Sequence, residues 1–167
     1  MDIENDWLLI KSIFKDGIKS SGFFAIASTN ADGSPHVTPI ASLLLYEPGH
    51  GVYADEYPAT LSRNIAQNPR LSVLAVNSGN GFWFKSLIRG KFHKHPGLRL
   101  MGSAGKKRRG TDQEIQNWLR IVKPFRFFRG YELLWKNMKY VRDIYFDDVL
   151  PLAAGQMSQG LLSSASK

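Results

Sequence analysis

Three consecutive polar residues, Ser62, Arg63 and Asn64, stand near the start of a segment whose pattern predicts a short helix. Leu61 and Ile65 are four residues apart, which places both on one face of that helix. The first turn of a helix has free backbone N–H groups and the positive end of the helix dipole, so it attracts anions. A guanidinium at this point is suited to a phosphate, with a hydroxyl and an amide as additional donors. On this segment alone, a solvated surface arginine is the alternative.

The predicted helix lies between two predicted strands. The residues VYADEY at 52–57 alternate and include aromatic side chains, and LSVLAV at 71–76 is apolar with β-branched residues. Asn68 and Pro69 end the helix, because the residue before a proline disfavours the helical conformation. This strand–helix–strand unit is therefore the framework that would position the three polar residues.

The sequence before this unit predicts a helix and a hairpin. Apolar residues recur at helical spacing between residues 7 and 19, which indicates a helix that packs on the sheet. Strands at 23–29 and 36–47 flank a turn at 30–35 that contains Asn, Asp and Gly. Pro39 lies within the second strand and has no N–H to donate, so that strand is expected to be at an edge or to open there. A ligand could use such an opening.

The second half of the chain predicts two further strands, a loop and a helix. The residues FWFKSLIRGKF at 82–92 are predicted as a long strand with a glycine kink, and 97–110 as a basic, glycine-rich loop. Thr111 and Glu114 form the capping box of a helix that carries an apolar stripe. The final strand is expected at 141–150.

Together these elements predict one mainly β domain. Five or more strands in hairpin order, with few helices, favour an antiparallel β-barrel with flanking helices. A chain of 167 residues with 43% hydrophobic content is long enough to bury a core of its own. The domain is expected to span residues 1–152, and the small and polar residues at 153–167 to form a mobile C-terminal tail.

Charge is unevenly distributed along the chain. The formal net charge is +8, and no Asp or Glu occurs from residue 57 to residue 111, a stretch that contains eleven Lys and Arg residues. Four of these cations are consecutive, at 106–109. The positive electrostatic potential of such a stretch attracts nucleic acid, acidic membrane surfaces and phosphorylated or carboxylated small molecules. The composition alone does not distinguish among these partners.

The residue types that are missing also limit the chemistry. Without cysteine the chain has no thiol nucleophile, cysteine zinc site or iron–sulfur cluster, so redox chemistry would need an organic cofactor or haem. His93 and His95 share a strand face in this prediction, but no third ligand type is near them, and no metal site is expected. The acidic N-terminus and the lack of an apolar run of ~20 residues predict a cytoplasmic protein without a membrane contact.

Two segments of the chain are similar to the flavin-binding split barrel of the pyridoxamine 5′-phosphate oxidase superfamily. They are FFAIASTNADGSPHVTPI at 23–40 and VYADEYPATLSRNIAQNPRLSVLAV at 52–76. Members share a strand, a D-G-x-P-H turn, a second strand and the helix end R-N-[IL]-x-x-N-P-R. The resemblance implies a six-stranded antiparallel split β-barrel of the FMN-binding type, a homodimer, and FMN held at the dimer interface.

The chain departs from the oxidases of this superfamily at the residues that bind phosphate. Ala59, Thr60 and Leu61 stand where the oxidases have a Ser-Arg-Lys clamp. Thr38 and Leu43 stand where they have an arginine and a lysine. These losses argue against true pyridoxamine phosphate oxidase activity, and the remaining motif is similar to that of the haem-degrading and general-stress branches. The phosphate role then passes to Ser62, Arg63 and Asn64.

The resemblance also implies which residues would surround FMN. The backbone at 38–41 would pass the isoalloxazine ring, since N–H and C=O groups can meet the ring N5 and the uracil edge. Residues 53–55 would line the ribityl chain, and the aromatic side chain at position 83 would reach the flavin of the partner subunit. The predicted cofactor-binding residues are Thr38, Pro39, Ile40, Ala41, Tyr53, Ala54, Asp55, Ser62, Arg63, Asn64 and Trp83. No catalytic residue is expected, because a flavin transfers a hydride or electrons through its own N5.

The predicted function is that of an FMN-dependent oxidoreductase acting on a small anionic substrate. A deazaflavin-dependent reductase would use the same barrel with a longer polyanionic cofactor tail. A flavin or haem carrier without catalysis is a further alternative. A nucleic-acid-binding module would use the acid-free half of the chain, but nucleic acid is not the expected partner.

Overall fold

The computed structural model of the protein describes residues 1–135 and 138–162. Its helices and strands are, in chain order, α1 (Trp7–Ser21), β1 (Phe24–Thr29), β2 (Pro35–Ile40), β3 (Leu44–Leu45), β4 (His50–Ala54), α2 (Ala59–Gln67), β5 (Arg70–Val76), α3 (Asn80–Arg89), β6 (Gly97–Arg109), α4 (Asp112–Val122), α5 (Arg129–Leu134), β7 (Tyr140–Pro151) and α6 (Gln159–Leu162). Every helix among these residues is too short or too polar to cross a lipid bilayer.

The described strands form one antiparallel sheet in the order β2-β1-β5-β6-β7-β4-β3. Its two edge strands, β2 and β3, are consecutive in the chain and are connected by residues 41–43, which belong to no strand. We call these three residues the joint. Because four Cα steps reach at most about 15 Å, the joint keeps the two edges close together. The sheet is therefore curled like a barrel, but strand pairing does not close it.

A mainly β fold with flanking helices is confirmed, and the predicted number of six strands is corrected to seven in the described residues. The strand predicted at 36–47 is in fact two strands, because the chain leaves the sheet at the joint. Pro39 lies in β2 opposite Ala25, and β2 is an edge strand, where a missing N–H is tolerated. The opening that Pro39 predicts begins two residues further along the chain.

Helix α3 replaces the strand predicted at 82–92. The three consecutive aromatic residues at 82–84 favour a strand, because aromatic side chains are common in strands. The helical spacing is evident at Ser86, which is buried and whose hydroxyl donates to the Phe82 carbonyl at 2.8 Å, one turn earlier. Gly90 is not a kink in a strand; it ends the helix in the left-handed conformation, with φ 63°.

Strand β6 replaces the basic loop predicted at 97–110. Buried and half-buried residues alternate along its first half, so one side faces the core. Gly97 and Gly102 gave the segment the appearance of a loop. Both are needed in the strand, because a Cβ atom at either position would collide with a backbone carbonyl of the neighbouring strand. The register of β6 against β7 shifts next to Gly102, which is the sign of a β-bulge.

Helices α1 and α2 pack against the sheet and complete its core. Helix α1 is confirmed, and the indole N–H of its first residue, Trp7, donates to the Tyr46 carbonyl at 2.8 Å. Helix α2 is confirmed as well, and its Leu61 and Ile65 belong to the same buried cluster as the strands. The inner face of α2 is thereby fixed, and its outer face can contact a ligand.

The chain after β7 forms helical turns that pack on the segment following α3. Ser158 in these turns is buried, and the Met157 carbonyl accepts a hydrogen bond from the Phe92 N–H at 3.0 Å. Residues 163–167 lie outside the described residues. The mobility of the tail at 153–167 and the domain boundary before it stay predictions.

Candidate functional site

Arg63 lies on the outer face of α2. Leu61, Asn64 and Ile65 around it are buried and hold the helix, whereas Arg63 itself is exposed. Among the described residues, its guanidinium has no hydrogen-bond or ion-pair partner. A cation on a fixed helix without a partner of its own can bind an anion without breaking an existing bond.

Two polar clefts flank Arg63, which lines both of them. The first has a volume of about 420 Å³, and we call it the lysine cleft. Its polar lining residues are Asp55, Glu56, Ser62, Arg63 and Lys107. The second, of about 500 Å³, is the turn cleft, because it opens at the β1–β2 turn. Its polar lining residues are Asn30, Asp32, His36, Thr60, Arg63, Asn64 and Gln67.

Ser62 belongs to a buried ion-pair network. Its hydroxyl donates to Asp55 Oδ2 at 3.1 Å and accepts from Arg142 Nη2 at 2.9 Å. Arg142 also donates from Nε to Asp55 Oδ2 and from Nη1 to the Gly105 carbonyl, both at 2.9 Å. Asp55 is 1% exposed and Arg142 is 5% exposed, so both charges lie inside the protein. Arg142 therefore bonds the Ser62 hydroxyl and Asp55 Oδ2, which the sequence predicted to bind a cofactor. Asp55 Oδ1 has no hydrogen-bond partner among the described residues.

Arg142 is absent from the residues predicted for the site, although two signals point to it. It stands between the apolar residues Val141 and Ile144 in a predicted strand, which places a cation near the core. Asp55 follows the buried strand β4, and a buried carboxylate needs a cationic partner. The pairing of β4 with β7, in which Tyr53 lies opposite Arg142, brings the two charges together.

Asn64 supports the β1–β2 hairpin. It is 1% exposed, and its Nδ2 donates to Ser28 Oγ at 3.2 Å and to Asn30 Oδ1 at 2.8 Å. These bonds tie α2 to the end of β1. Of the three consecutive polar residues in the described helix, Arg63 alone keeps its side chain free for an anion.

Tyr53 and Trp83 are both engaged in packing, and neither lines the clefts. Tyr53 is 1% exposed in the core, and burial raises the pKa of its hydroxyl above the ordinary value. Trp83 lies on α3, not on the predicted strand. Its indole N–H donates to the Asn77 carbonyl at 2.8 Å, and its ring packs edge-on against Phe92 at 5.3 Å. A contact of Trp83 with the flavin of a partner subunit stays a prediction.

An apolar pocket of about 600 Å³ lies beside the joint. It brings together five residues predicted at the flavin: Thr38, Pro39, Ile40, Ala41 and Ala54. Its other walls are mostly large apolar side chains: Tyr57, Trp118, Ile121, Leu134, Trp135 and Met138. The joint is fixed to β4, since the Ser42 hydroxyl accepts from the Ala54 N–H at 3.1 Å. Pro58 lines both this pocket and the lysine cleft, so the two spaces adjoin.

Two of the four consecutive cations at 106–109, Lys107 and Arg108, have different roles. Arg108 pairs with Glu114 at 2.7 Å and with Asp143 at 2.6 Å. Its guanidinium lowers the pKa of Glu114 to about 2 and holds the pKa of Asp143 below its ordinary value. Lys107 lies 5.0 Å above an aromatic ring of β7 and lines the lysine cleft. Arg108 is therefore structural, and Lys107 faces the site.

The described residues contain no group of three or more side chains that could hold a metal ion. His93 and His95 lie between α3 and β6, so the strand face predicted for them does not exist. His95 is buried, and this burial lowers the pKa of its imidazole.

The fold and the site together define a split-barrel protein with an apolar pocket beside a cationic cleft. The family model described as pyridoxamine 5′-phosphate oxidase matches residues 10–127, and the chain belongs to this family. The resemblance seen at 23–76 is thus confirmed and extends from α1 to α4. No curated protein matches the chain at a significant level.

Solved structures share this fold at low sequence identity. HupZ from Group A Streptococcus has a TM-score of 0.59 at 15% identity, over 87% of this chain and 93% of that chain. An FMN-binding protein from Syntrophomonas wolfei has a TM-score of 0.57 at 14% identity, over 89% of both chains. HutZ, a haem storage protein from Vibrio cholerae, has a TM-score of 0.54 at 15% identity, over 90% of this chain and 95% of that chain. At such identities the likeness shows the fold alone.

Proposed function

We propose that this protein binds FMN and acts as an oxidoreductase on a small anionic substrate. The observation that supports this most is that the apolar pocket and the lysine cleft meet at Pro58. A flavin nucleotide is divided in the same way, with a ring system at one end and a phosphate at the other. Membership of the family favours a flavin in this place. We propose a cytoplasmic location as well, which the cysteine-free composition fits.

The ring would lie in the apolar pocket beside the joint. Residues 41–43 take no part in strand pairing, so their backbone N–H and C=O groups can meet the polar edge of a flavin ring. Trp118 and Ile121 would shield the ring from water. FMN, when bound, supplies hydride or electron transfer at its N5. The residues of the chain bind, orient and shield the ring.

The phosphate would lie in the lysine cleft, near Arg63 and Lys107. These two cations would substitute for the clamp that the oxidases of the family have at 59–61. Because the clamp itself is missing, a substrate other than pyridoxamine phosphate is expected. The acid-free stretch from residue 57 to residue 111 favours an anionic one.

A haem carrier and a deazaflavin-dependent reductase are the alternatives. Haem in proteins usually takes an axial ligand from His, Cys, Met or Tyr. No histidine lines the apolar pocket in the described part of the chain. The hydroxyl of Tyr57 is already hydrogen-bonded to the carbonyls of Leu133 and Leu134, at 3.2 and 2.9 Å. Met138 also lines the pocket, but methionine ligates haem iron together with a histidine. FMN is therefore favoured over haem.

Absorbance and flavin fluorescence test the proposal. The purified protein is titrated separately with FMN, a deazaflavin and haemin. We expect FMN to bind most tightly, with quenched fluorescence and shifted flavin bands, and the bound flavin to bleach when a reduced nicotinamide is added without oxygen. A Soret band that saturates at lower concentration than the flavin signal would contradict the proposal.

We also propose that the protein is a homodimer. Phe127 and Leu133 are 82% and 72% exposed, and an apolar patch of this kind on a small protein marks a contact surface. With FMN present, sedimentation should give about twice the mass of the 18.8 kDa chain.

Variants test whether this surface forms the dimer. Changing Phe127 and Leu133 to serine should shift the protein to the monomer. Leu8→Ser, at an 80% exposed position on α1, should not. A wild-type monomer at micromolar concentration would refute the dimer.

A further inference from the structure

Helix α3 presents an apolar surface that the pocket and the clefts do not use. Phe84, Leu87 and Ile88 are 66%, 62% and 71% exposed. They are three and four residues apart, so they lie on one side of the helix, and we call them the α3 patch. Contiguous apolar surface of this kind usually marks an interaction site.

The inner face of α3 holds the patch outward. Phe82 stacks on Phe92 at 5.6 Å, and Trp83 packs edge-on against the same ring at 5.3 Å. The indole N–H of Trp83 is bonded to the Asn77 carbonyl, and Ser86 is 1% exposed. The helix cannot turn its patch inward without breaking these contacts, so the exposed apolar side chains are a fixed feature of the surface.

Cations border the patch. Lys85 and Arg89 are four residues apart beside it, and Lys91 follows the end of the helix. All three are exposed, and none forms an ion pair with a described residue. The chain has no Asp or Glu from residue 57 to residue 111, so neither α3 nor the chain on either side of it contains an acid. Asp16 of α1 contacts the segment after α3, where it pairs with Lys94 at 2.6 Å.

We infer that α3 docks on the surface of an anionic lipid bilayer. The α3 patch enters the boundary between head groups and acyl chains, and Lys85, Arg89 and Lys91 meet the negative head groups. The sequence predicted no membrane contact, because its N-terminus is acidic and it has no apolar run long enough to span a bilayer. A helix that lies on the surface needs no span.

Charge argues against a second copy of the chain as the occupant. A two-fold symmetric contact through α3 would place the cations of one copy against those of the other. Neither copy has an acid on this helix to compensate. A nucleic acid would satisfy the cations, but it would leave Phe84, Leu87 and Ile88 against a polar backbone. An anionic bilayer satisfies both the apolar and the cationic part.

Co-sedimentation with vesicles tests the inference. We expect the protein to bind vesicles of phosphatidylcholine mixed with phosphatidylserine, and to bind pure phosphatidylcholine vesicles about tenfold or more weakly. Changing Phe84, Leu87 and Ile88 together to serine should weaken binding to the mixed vesicles at least about tenfold. Changing Lys85, Arg89 and Lys91 to glutamine should weaken it too, and should remove most of its salt dependence.

Leu8→Ser is the matched control, because it removes a large exposed apolar side chain from α1. It should leave vesicle binding unchanged. Circular dichroism and the oligomeric state of each variant show whether it is folded.

Two results would overturn the inference. In one, the wild-type protein binds neither kind of vesicle. In the other, the wild type and the serine variant bind the mixed vesicles equally well. A change of oligomeric state in the serine variant, without a change in vesicle binding, would assign α3 to a second copy instead. Vesicle binding is measured without FMN, so the result does not depend on whether the protein binds the proposed cofactor.

Discussion

Arg142→Ala is expected to destabilise the folded protein by about 3 to 5 kcal/mol. The substitution removes the cation that pairs with Asp55 Oδ2 and bonds the Ser62 hydroxyl. Asp55 would then be an unpaired charge at a position 1% exposed, and its Oδ1 already has no hydrogen-bond partner among the described residues. Equilibrium unfolding in urea, followed by circular dichroism, measures the loss.

Arg70→Ala is the control for this measurement. Arg70 pairs with Asp147 on the surface, where the two side chains are 53% and 54% exposed. Exposed pairs of this kind contribute at most about 1 kcal/mol. The double variant Asp55→Ala/Arg142→Ala should lose less stability than the sum of the single losses, because neither charge is left alone. If Arg142→Ala and Arg70→Ala cost the same, the network does not stabilise the fold as argued.

Arg63→Ala is expected to weaken FMN binding about ten- to a hundredfold while the fold stays intact. A hydrogen bond to a charged group is worth roughly 1.5 to 3 kcal/mol, which corresponds to that range of affinity. Arg63 lines both polar clefts, and its side chain has no other partner among the described residues. Loss of the Arg63 guanidinium therefore removes a contact with the ligand and breaks no contact within the protein. Fluorescence titration gives the dissociation constant.

Riboflavin, which lacks the phosphate, separates the role of Arg63 from a general loss of binding. Its affinity should be nearly unchanged in Arg63→Ala. The control variant is again Arg70→Ala, which removes the same charge from the first residue of β5, outside the lining of both clefts, and should bind FMN as the wild type does. Equal losses for FMN and riboflavin, or no loss for either, would show that Arg63 does not bind the phosphate.

The elements that the sequence predicts well are those with a strong local signal. Helix α4 begins at the predicted capping box, in which the Thr111 side chain accepts from the Glu114 N–H. Two of the wrong predictions, at α3 and β6, come from local patterns that are typical of another structure. Consecutive aromatic residues, as at 82–84, are typical of a strand, and glycines such as those of β6 are typical of a loop. The glycines of β6 are needed because neighbouring strands approach closely, and those strands are distant in sequence.

The site follows the same rule. The phosphate-binding role of Arg63, which stays a prediction, comes from the helix dipole and from residue spacing, which are local properties. The role of Ser62 was not predicted, because its hydrogen-bond partner Arg142 lies 80 residues away. Asn64 is similar, since its partners Ser28 and Asn30 are 36 and 34 residues away. A polar side chain in a sequence offers its donors and acceptors to any neighbour, and the pairing of distant strands decides which neighbour takes them.

The pairing between β4 and β7 has a consequence for how the chain can be divided. The family match ends at residue 127, before β7 begins. A fragment cut there would keep Asp55 and Arg63 but lose Arg142, and it would bury a lone carboxylate in place of an ion pair. The stretch by which the family is recognised is therefore shorter than the unit that can fold. A portable module made from this protein must include residues 140–151, although no cofactor contact has been assigned to them.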